Sequence, residues 1–246
     1  MRNFQPHWIP SAILCSLLVF PLYNSALVTA AQAASPTPAN SNIKLEKVEW
    51  TWADRSDPVD GRLPNILLVG DSITRAYFPE VAKQFAGKAN VYLFATSCSA
   101  GDPRLPEQLQ LFFQGQPSFS VIHFNNGMHG WDYDDQTFAT AIPEMVKTLK
   151  AYTRSSRLIW ATITPVRNDN PHGANNARID ARNAAALKFM HNNGILVDDQ
   201  HALMSTHNDL HLDDVHYNDA GCQLQGDQAA AIIQPLLSTL PVPAKH

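Results

Sequence analysis

The chain has 246 residues, of which 45% are hydrophobic and 16% charged, and its formal net charge is -4. That balance excludes a collagen, a coiled coil and a wholly disordered chain, and it suits one large α/β domain. No basic run of five or more residues occurs, so nucleic acid is not an expected partner, because phosphate binding needs clustered Lys and Arg.

Residues 1–33 differ from the rest. Arg2 is their only Lys or Arg, and an apolar stretch from Ile9 to Leu22 is interrupted by Pro10 and Pro21. The small-residue site Ala31-Gln32-Ala33 follows. This pattern predicts a cleaved secretory signal peptide, with the protein exported to a periplasmic or extracellular compartment. The apolar run is too short and too broken for a stable membrane span. Residues 34–44 are rich in Ala, Ser, Pro, Thr and Asn and read as a flexible linker, which leaves 45–246 as the folded domain. Export permits disulfides. With Cys15 in the signal, Cys98 and Cys222 are either a pair or two small buried apolar residues.

Strands and helices then alternate. Residues 65–69 form a short continuous apolar run stopped by Gly70, which predicts a buried strand. A helix is expected over 73–86, a strand over 90–94, a helix over 105–115 and a strand over 119–124. Phe138, Ile142, Met145, Val146 and Leu149 recur at helical spacing within 136–155, the mark of an amphipathic helix. A fourth strand over 158–163, a helix over 176–192, a fifth strand over 195–198 and a last helix over 219–237 complete the order. Such alternation predicts a three-layer α/β/α architecture around a central parallel five-stranded sheet. Reactive groups in such sheets gather beyond the carboxyl ends of the strands.

Two blocks carry chemistry. The first, Gly70-Asp71-Ser72-Ile73-Thr74, follows a buried strand and opens a helix. A serine there meets free backbone N–H groups and the positive end of the helix dipole, which favour a developing anion. By itself the block is equally a capped helix start. The second lies in His211-Leu212-Asp213-Asp214-Val215-His216. Asp213 and His216, three apart on a turn, suit a carboxylate that orients an imidazole so that its other nitrogen takes a proton from a hydroxyl. The competing reading of His207, His211, Asp213 and His216 as a metal site lacks a supporting helical or Cys-rich spacing.

Together the two blocks resemble the SGNH (GDSL-type) hydrolase superfamily. The resemblance covers most of 62–236 and implies a flavodoxin-like fold. It implies Ser72 as nucleophile, His216 as general base and acid, and Asp213 as the orienting carboxylate, with Asp214 a solvated loop charge. It also implies an oxyanion hole from the Ser72 N–H, the Gly101 N–H and an amide side chain after the third strand. There the chain reads Asn125-Asn126-Gly127-Met128-His129, which departs from the family's Gly-x-Asn-Asp. Asn125 or Asn126 is the expected donor, since a neutral amide does not change charge with pH. Aligning Gly127 with the family glycine puts His129 in that position instead. The implied activity is ester hydrolysis without metal or cofactor, on a small-molecule or polysaccharide ester. Arg104, Trp131, Tyr133, Arg167 and Asn168 in the loops suit a sugar better than a long acyl chain. A short-chain esterase or lipase and a carbohydrate O-acyltransferase remain alternatives. Trp50 and Trp52 lie outside the resemblance; they either line a sugar cleft by stacking or cover the sheet edge, the commoner use.

Overall fold

The computed structural model describes residues 42–152 and 156–238. The expected signal peptide and most of the expected linker lie outside the described residues. The structure has strands β1 (Thr51–Arg55), β2 (Asn65–Gly70), β3 (Asn90–Thr96), β4 (Val121–Phe124), β5 (Arg157–Ala161) and β6 (Leu196–Asp198). Its helices are α1 (Ser72–Gln84), α2 (Leu105–Phe113), α3 (Asp135–Tyr152), α4 (Asn176–Asn192), α5 (Gln200–Ser205) and α6 (Asp219–Ser238), with a 3₁₀ turn at Asn208–Leu210.

The sheet order is β1-β3-β2-β4-β5-β6. The five strands expected from the sequence are present and parallel, from β2 to β6. A sixth, β1, pairs antiparallel with β3 and forms one edge. It escapes sequence reading because all five of its residues are exposed, so it lacks the apolar alternation that marks a half-buried strand. Helices α5 and the 3₁₀ turn are likewise too short to show a period.

Side chains alternate across the sheet, as the two-residue repeat of a strand requires. Leu67 and Val69 of β2 join Tyr92, Phe94, Ile122, Phe124 and Trp160 on one face, beneath α2, α3 and α4. Ile66 and Leu68 join Val91, Leu93, Val121 and Ile159 on the other, beneath α1 and α6. This division settles the cysteines. Cys98 packs in the first core and Cys222 against the second. Both are free thiols, because the sheet separates their environments.

The chain runs from β2 to β3 on one side of β2 and then crosses to β4 on its other side. The carboxyl end of β2 is therefore the switch in strand order, where α/β sheets open a crevice. Among the described residues, no helix is long and apolar enough to cross a membrane.

Candidate active site

At the end of β2 the chain turns sharply into α1. A Cβ at Gly70 would collide with the Thr74 side chain, so only glycine permits this close approach. Asp71 is the N-cap: its buried side chain accepts from the Ile73 N–H at 3.0 Å. Ser72 is then the first helical residue, and its N–H lies among the donors that no intrahelical acceptor reaches.

Ser72 Oγ lies 2.8 Å from His216 Nε2. His216 Nδ1 lies 2.9 Å from Asp213 Oδ2. The second oxygen of Asp213 accepts the Val215 and His216 N–H groups, each at 2.7 Å. Desolvation opposes ionisation of Asp213, but those two amide bonds and the imidazole outweigh it and hold the carboxyl down to about 2. An ionised carboxylate only accepts, so Nδ1 carries the proton and Nε2 faces the serine as an acceptor. Both groups remain open to solvent, with the side chains of His216 39% and Asp213 56% exposed.

The turn that carries this pair is braced by the loop after β5. The Arg167 guanidinium donates to the His211 carbonyl, the Arg167 N–H donates to Asp214 O at 2.8 Å, and Asn168 Nδ2 donates to Asp214 Oδ1 at 2.7 Å. Tyr217 Oη donates to Pro165 O at 3.0 Å. Asp214 is thus exposed, as expected, but also a bracing acceptor. The alternative metal set is not assembled. His211 is buried against the Tyr217 ring, 4.2 Å between centroids, while His216 faces Ser72. Among the described residues no group of three or more His, Cys, Asp or Glu is placed to hold a metal ion.

The loop after β3 presents Gly101. A Cβ there would meet the side chains of Thr137 and Tyr133 at 3.1 and 3.2 Å, which suits glycine. Asn126 clasps this loop: Oδ1 accepts the Ala100 N–H at 2.5 Å and Nδ2 donates to Cys98 O at 2.9 Å. Asn125 Nδ2 donates to Ala161 O at 2.5 Å, and the Asn125 N–H extends the sheet by donating to Val69 O. Both asparagines expected at the oxyanion site therefore hold neighbouring backbone together.

The side chains expected to greet a sugar are framework too. Trp131 Nε1 donates to Met128 O at 2.6 Å, and its ring lies under Arg182, 4.0 Å from guanidinium carbon to centroid. Tyr133 Oη accepts the Lys44 N–H at 2.8 Å. Arg104 pairs with Asp102 and Glu49. Carboxylates, a guanidinium and backbone N–H and carbonyl groups claim them, a competition invisible in a linear sequence.

Two contributors were missed. Arg182, on α4 and 1% exposed, donates to the carbonyls of Gly127, His129 and Gly130 at 2.9, 3.0 and 3.0 Å. Its four-residue spacing from Arg178 puts both guanidiniums on one helix face, the only signal available beforehand. Glu46, in the segment before β1, accepts the Gly130 N–H at 2.9 Å and lies 3.3 Å from His129 Nδ1. Gly130 sits at φ 70°, and a Cβ there would strike Ser99, so the loops after β3 and β4 pack tightly.

No family model and no curated protein matches the chain. Solved structures do. A carbohydrate esterase family 3 protein from Talaromyces cellulolyticus superposes with a TM-score of 0.59 at 16% identity, covering 73% of this chain and all of that one. A member of the lipolytic G-D-S-L family from Veillonella parvula gives 0.56 at 18% identity, covering 69% and 98%. A GDSL-like lipase from Bacteroides thetaiotaomicron gives 0.54 at 16%, covering 75% and 93%. The fold is that of the SGNH (GDSL-type) hydrolases.

Proposed function

We propose that this protein is a serine ester hydrolase. The observation that carries the reading is the relay from Ser72 Oγ to His216 Nε2 at 2.8 Å and from His216 Nδ1 to Asp213 at 2.9 Å. In this mechanism Ser72 Oγ attacks the acyl carbon as its proton passes to His216 Nε2. The carbonyl electron pair moves onto oxygen, held by the N–H groups of Ser72 and Gly101. Collapse of this intermediate breaks the ester C–O bond, and the leaving alkoxide takes the proton back from His216. Water, deprotonated by His216, then attacks the acyl-serine and releases the acid.

The favoured substrate is a short acyl group, acetyl above all, on a carbohydrate. The fold likeness to a carbohydrate esterase supports this class. So does Trp52 on the edge strand: 46% exposed, it stacks under the Arg75 guanidinium at 4.4 Å, one turn into the helix that Ser72 begins. An exposed indole packed on the first turn of α1 suits the apolar face of a sugar ring. The N-terminal apolar segment supports export of the enzyme.

The test compares acetyl and octanoyl aryl esters and acetate release from acetylated polysaccharides. Acetyl preference and released acetate are expected, and Ser72→Ala lowers kcat by about 10⁴–10⁶ while leaving the fold intact. Undiminished turnover by that variant overturns the assignment. A strong octanoyl preference removes the sugar substrate and leaves the esterase.

A further inference from the structure

We infer that the third donor of the oxyanion hole is the imidazolium of His129, donating from Nε2 beside the N–H groups of Ser72 and Gly101, with Glu46 keeping it charged. This deepens the esterase reading and rests on it. Both adjacent asparagines already bond neighbouring backbone: Asn125 Nδ2 donates to Ala161 O, and Asn126 accepts the Ala100 N–H at Oδ1 while its Nδ2 donates to Cys98 O. His129 Nε2, in contrast, is buried without a hydrogen-bond partner, although the side chain as a whole is 18% exposed. A buried polar atom left unpaired is costly in a native fold. It is explained if a partner arrives only during the reaction.

Position agrees with this role. The chain leaves β4 beside β2, where Asn125 N–H bonds Val69 O, two residues before the Asp71–Ser72 turn. The 127–130 loop then meets the Gly101 loop at Ser99. Arg182 pins the His129 carbonyl and its neighbours from α4. The Trp50 ring packs edge-on against the imidazole at 5.9 Å between centroids. His129 thus sits on a fixed loop after β4 that packs against the loop carrying Gly101.

The proton count fixes the charge state. Glu46 Oε1 lies 3.3 Å from His129 Nδ1, so Nδ1 donates. A neutral ring would then present Nε2 as a lone pair and repel an oxyanion. Only the imidazolium donates from both nitrogens. Burial disfavours that charge, but the Glu46 hydrogen bond and the charges of Asp71, Glu46 and Glu49 outweigh it and raise the His129 pKa above the usual histidine value. These carboxylates come from the segment before β1 and the α1 cap. The Arg182 guanidinium, the positive group on α4, faces the backbone carbonyls of this loop. A cationic donor stabilises the developing oxyanion by charge as well as by hydrogen bonding.

The experiment measures kcat/KM for an acetyl aryl ester against pH, and the rate of Ser72 labelling by a fluorophosphonate, in wild type, His129→Ala, His129→Asn and Glu46→Gln. Circular dichroism checks each fold. His129→Ala is expected to lose on the order of 10²–10³-fold in kcat and to slow labelling. His129→Asn recovers part of that loss and abolishes the alkaline decline that His129 deprotonation produces. Glu46→Gln moves the decline to lower pH. A folded His129→Ala variant within about threefold of wild type, with an unchanged pH profile, overturns the proposal while Ser72→Ala inactivity preserves the esterase reading. Absence of both turnover and labelling in wild type overturns the two together.

Discussion

The guanidinium of Arg182 donates to the carbonyl of His129 at 3.0 Å, and the same group holds the carbonyls of Gly127 and Gly130. A helix on one side of the sheet thereby sets the shape of a loop after β4, at the carboxyl end of the sheet where the candidate site lies. Burial, then the nearby positive charge of Arg178, lowers the Arg182 pKa to about 10, partly offset by Asp135. It remains charged at neutral pH.

Arg182→Met therefore leaves three carbonyls without their donor. The expected loss is about 3 kcal/mol of stability, since each unsatisfied buried group costs roughly 1–3 kcal/mol and some regain water. Urea unfolding measures it. Activity at a temperature where the variant is fully folded falls as well, because the loop relaxes. A variant with wild-type stability and wild-type kcat contradicts the clamp.

Asp213→Asn separates orientation from fold. The carboxylate fixes the His216 tautomer, and its replacement is expected to lower kcat by about 10⁴. A pH signature accompanies this. Folding lowers the Asp213 pKa to about 2, so the charged form stabilises the fold above the ordinary Asp value of about 4. That contribution fades as pH falls towards 2. Thermal melts should show the largest gap between wild type and variant above about pH 5, narrowing in acid. A constant gap would assign the effect to packing alone.

On the α1/α6 face of the sheet, His123 Nε2 donates to Asp198 Oδ2 at 2.7 Å, with both side chains fully buried. Gln200 and Gln228 donate to the same carboxylate at 2.9 and 2.6 Å. Asp198→Ala strips the acceptor from all three. Breaking such a buried cluster by removing one partner costs about 3–5 kcal/mol. Calorimetry is expected to show a fall in Tm of roughly 6–20 °C, at 2–4 °C per kcal/mol for a domain of this size. A fall of a degree or less excludes a structural role for the cluster.

Burial, and then the charge of Asp102, pushes the Cys98 thiol up to about 12. It is therefore a protonated, inert core residue at neutral pH. Maleimide treatment of the native protein, followed by peptide mapping, should leave Cys98 unmodified. Denaturation before treatment should label it completely. Modification in the native state, or a Cys98–Cys222 bridged peptide without reduction, contradicts the packing described above.

Much of this architecture is legible in the residues alone. The apolar run 65–69 ends at Gly70, and the five-residue helical face from Phe138 to Leu149 is buried as its spacing predicts. These are local signals, set by side-chain polarity and backbone sterics, and they survive folding because the core rewards them. The Asp213–His216 spacing is local as well: three residues on one turn bring carboxylate and imidazole within reach.

Strand β1 is different, since a fully exposed edge strand depends on its neighbour's hydrogen bonds and leaves no pattern in its own residues. The same holds for Glu46 and Arg182, whose partners lie 84 and 52 residues away at Gly130. Residue type and spacing determined which groups were capable of chemistry: a serine at a helix start, a histidine beside a carboxylate, two asparagines and a histidine after the third parallel strand. Only the tertiary structure decided which of them are consumed by backbone carbonyls and amides. Hydrogen-bond partners in a packed interior are allotted by three-dimensional proximity, so Asn125 and Asn126 each bond neighbouring backbone while Nε2 of His129 is left unpaired.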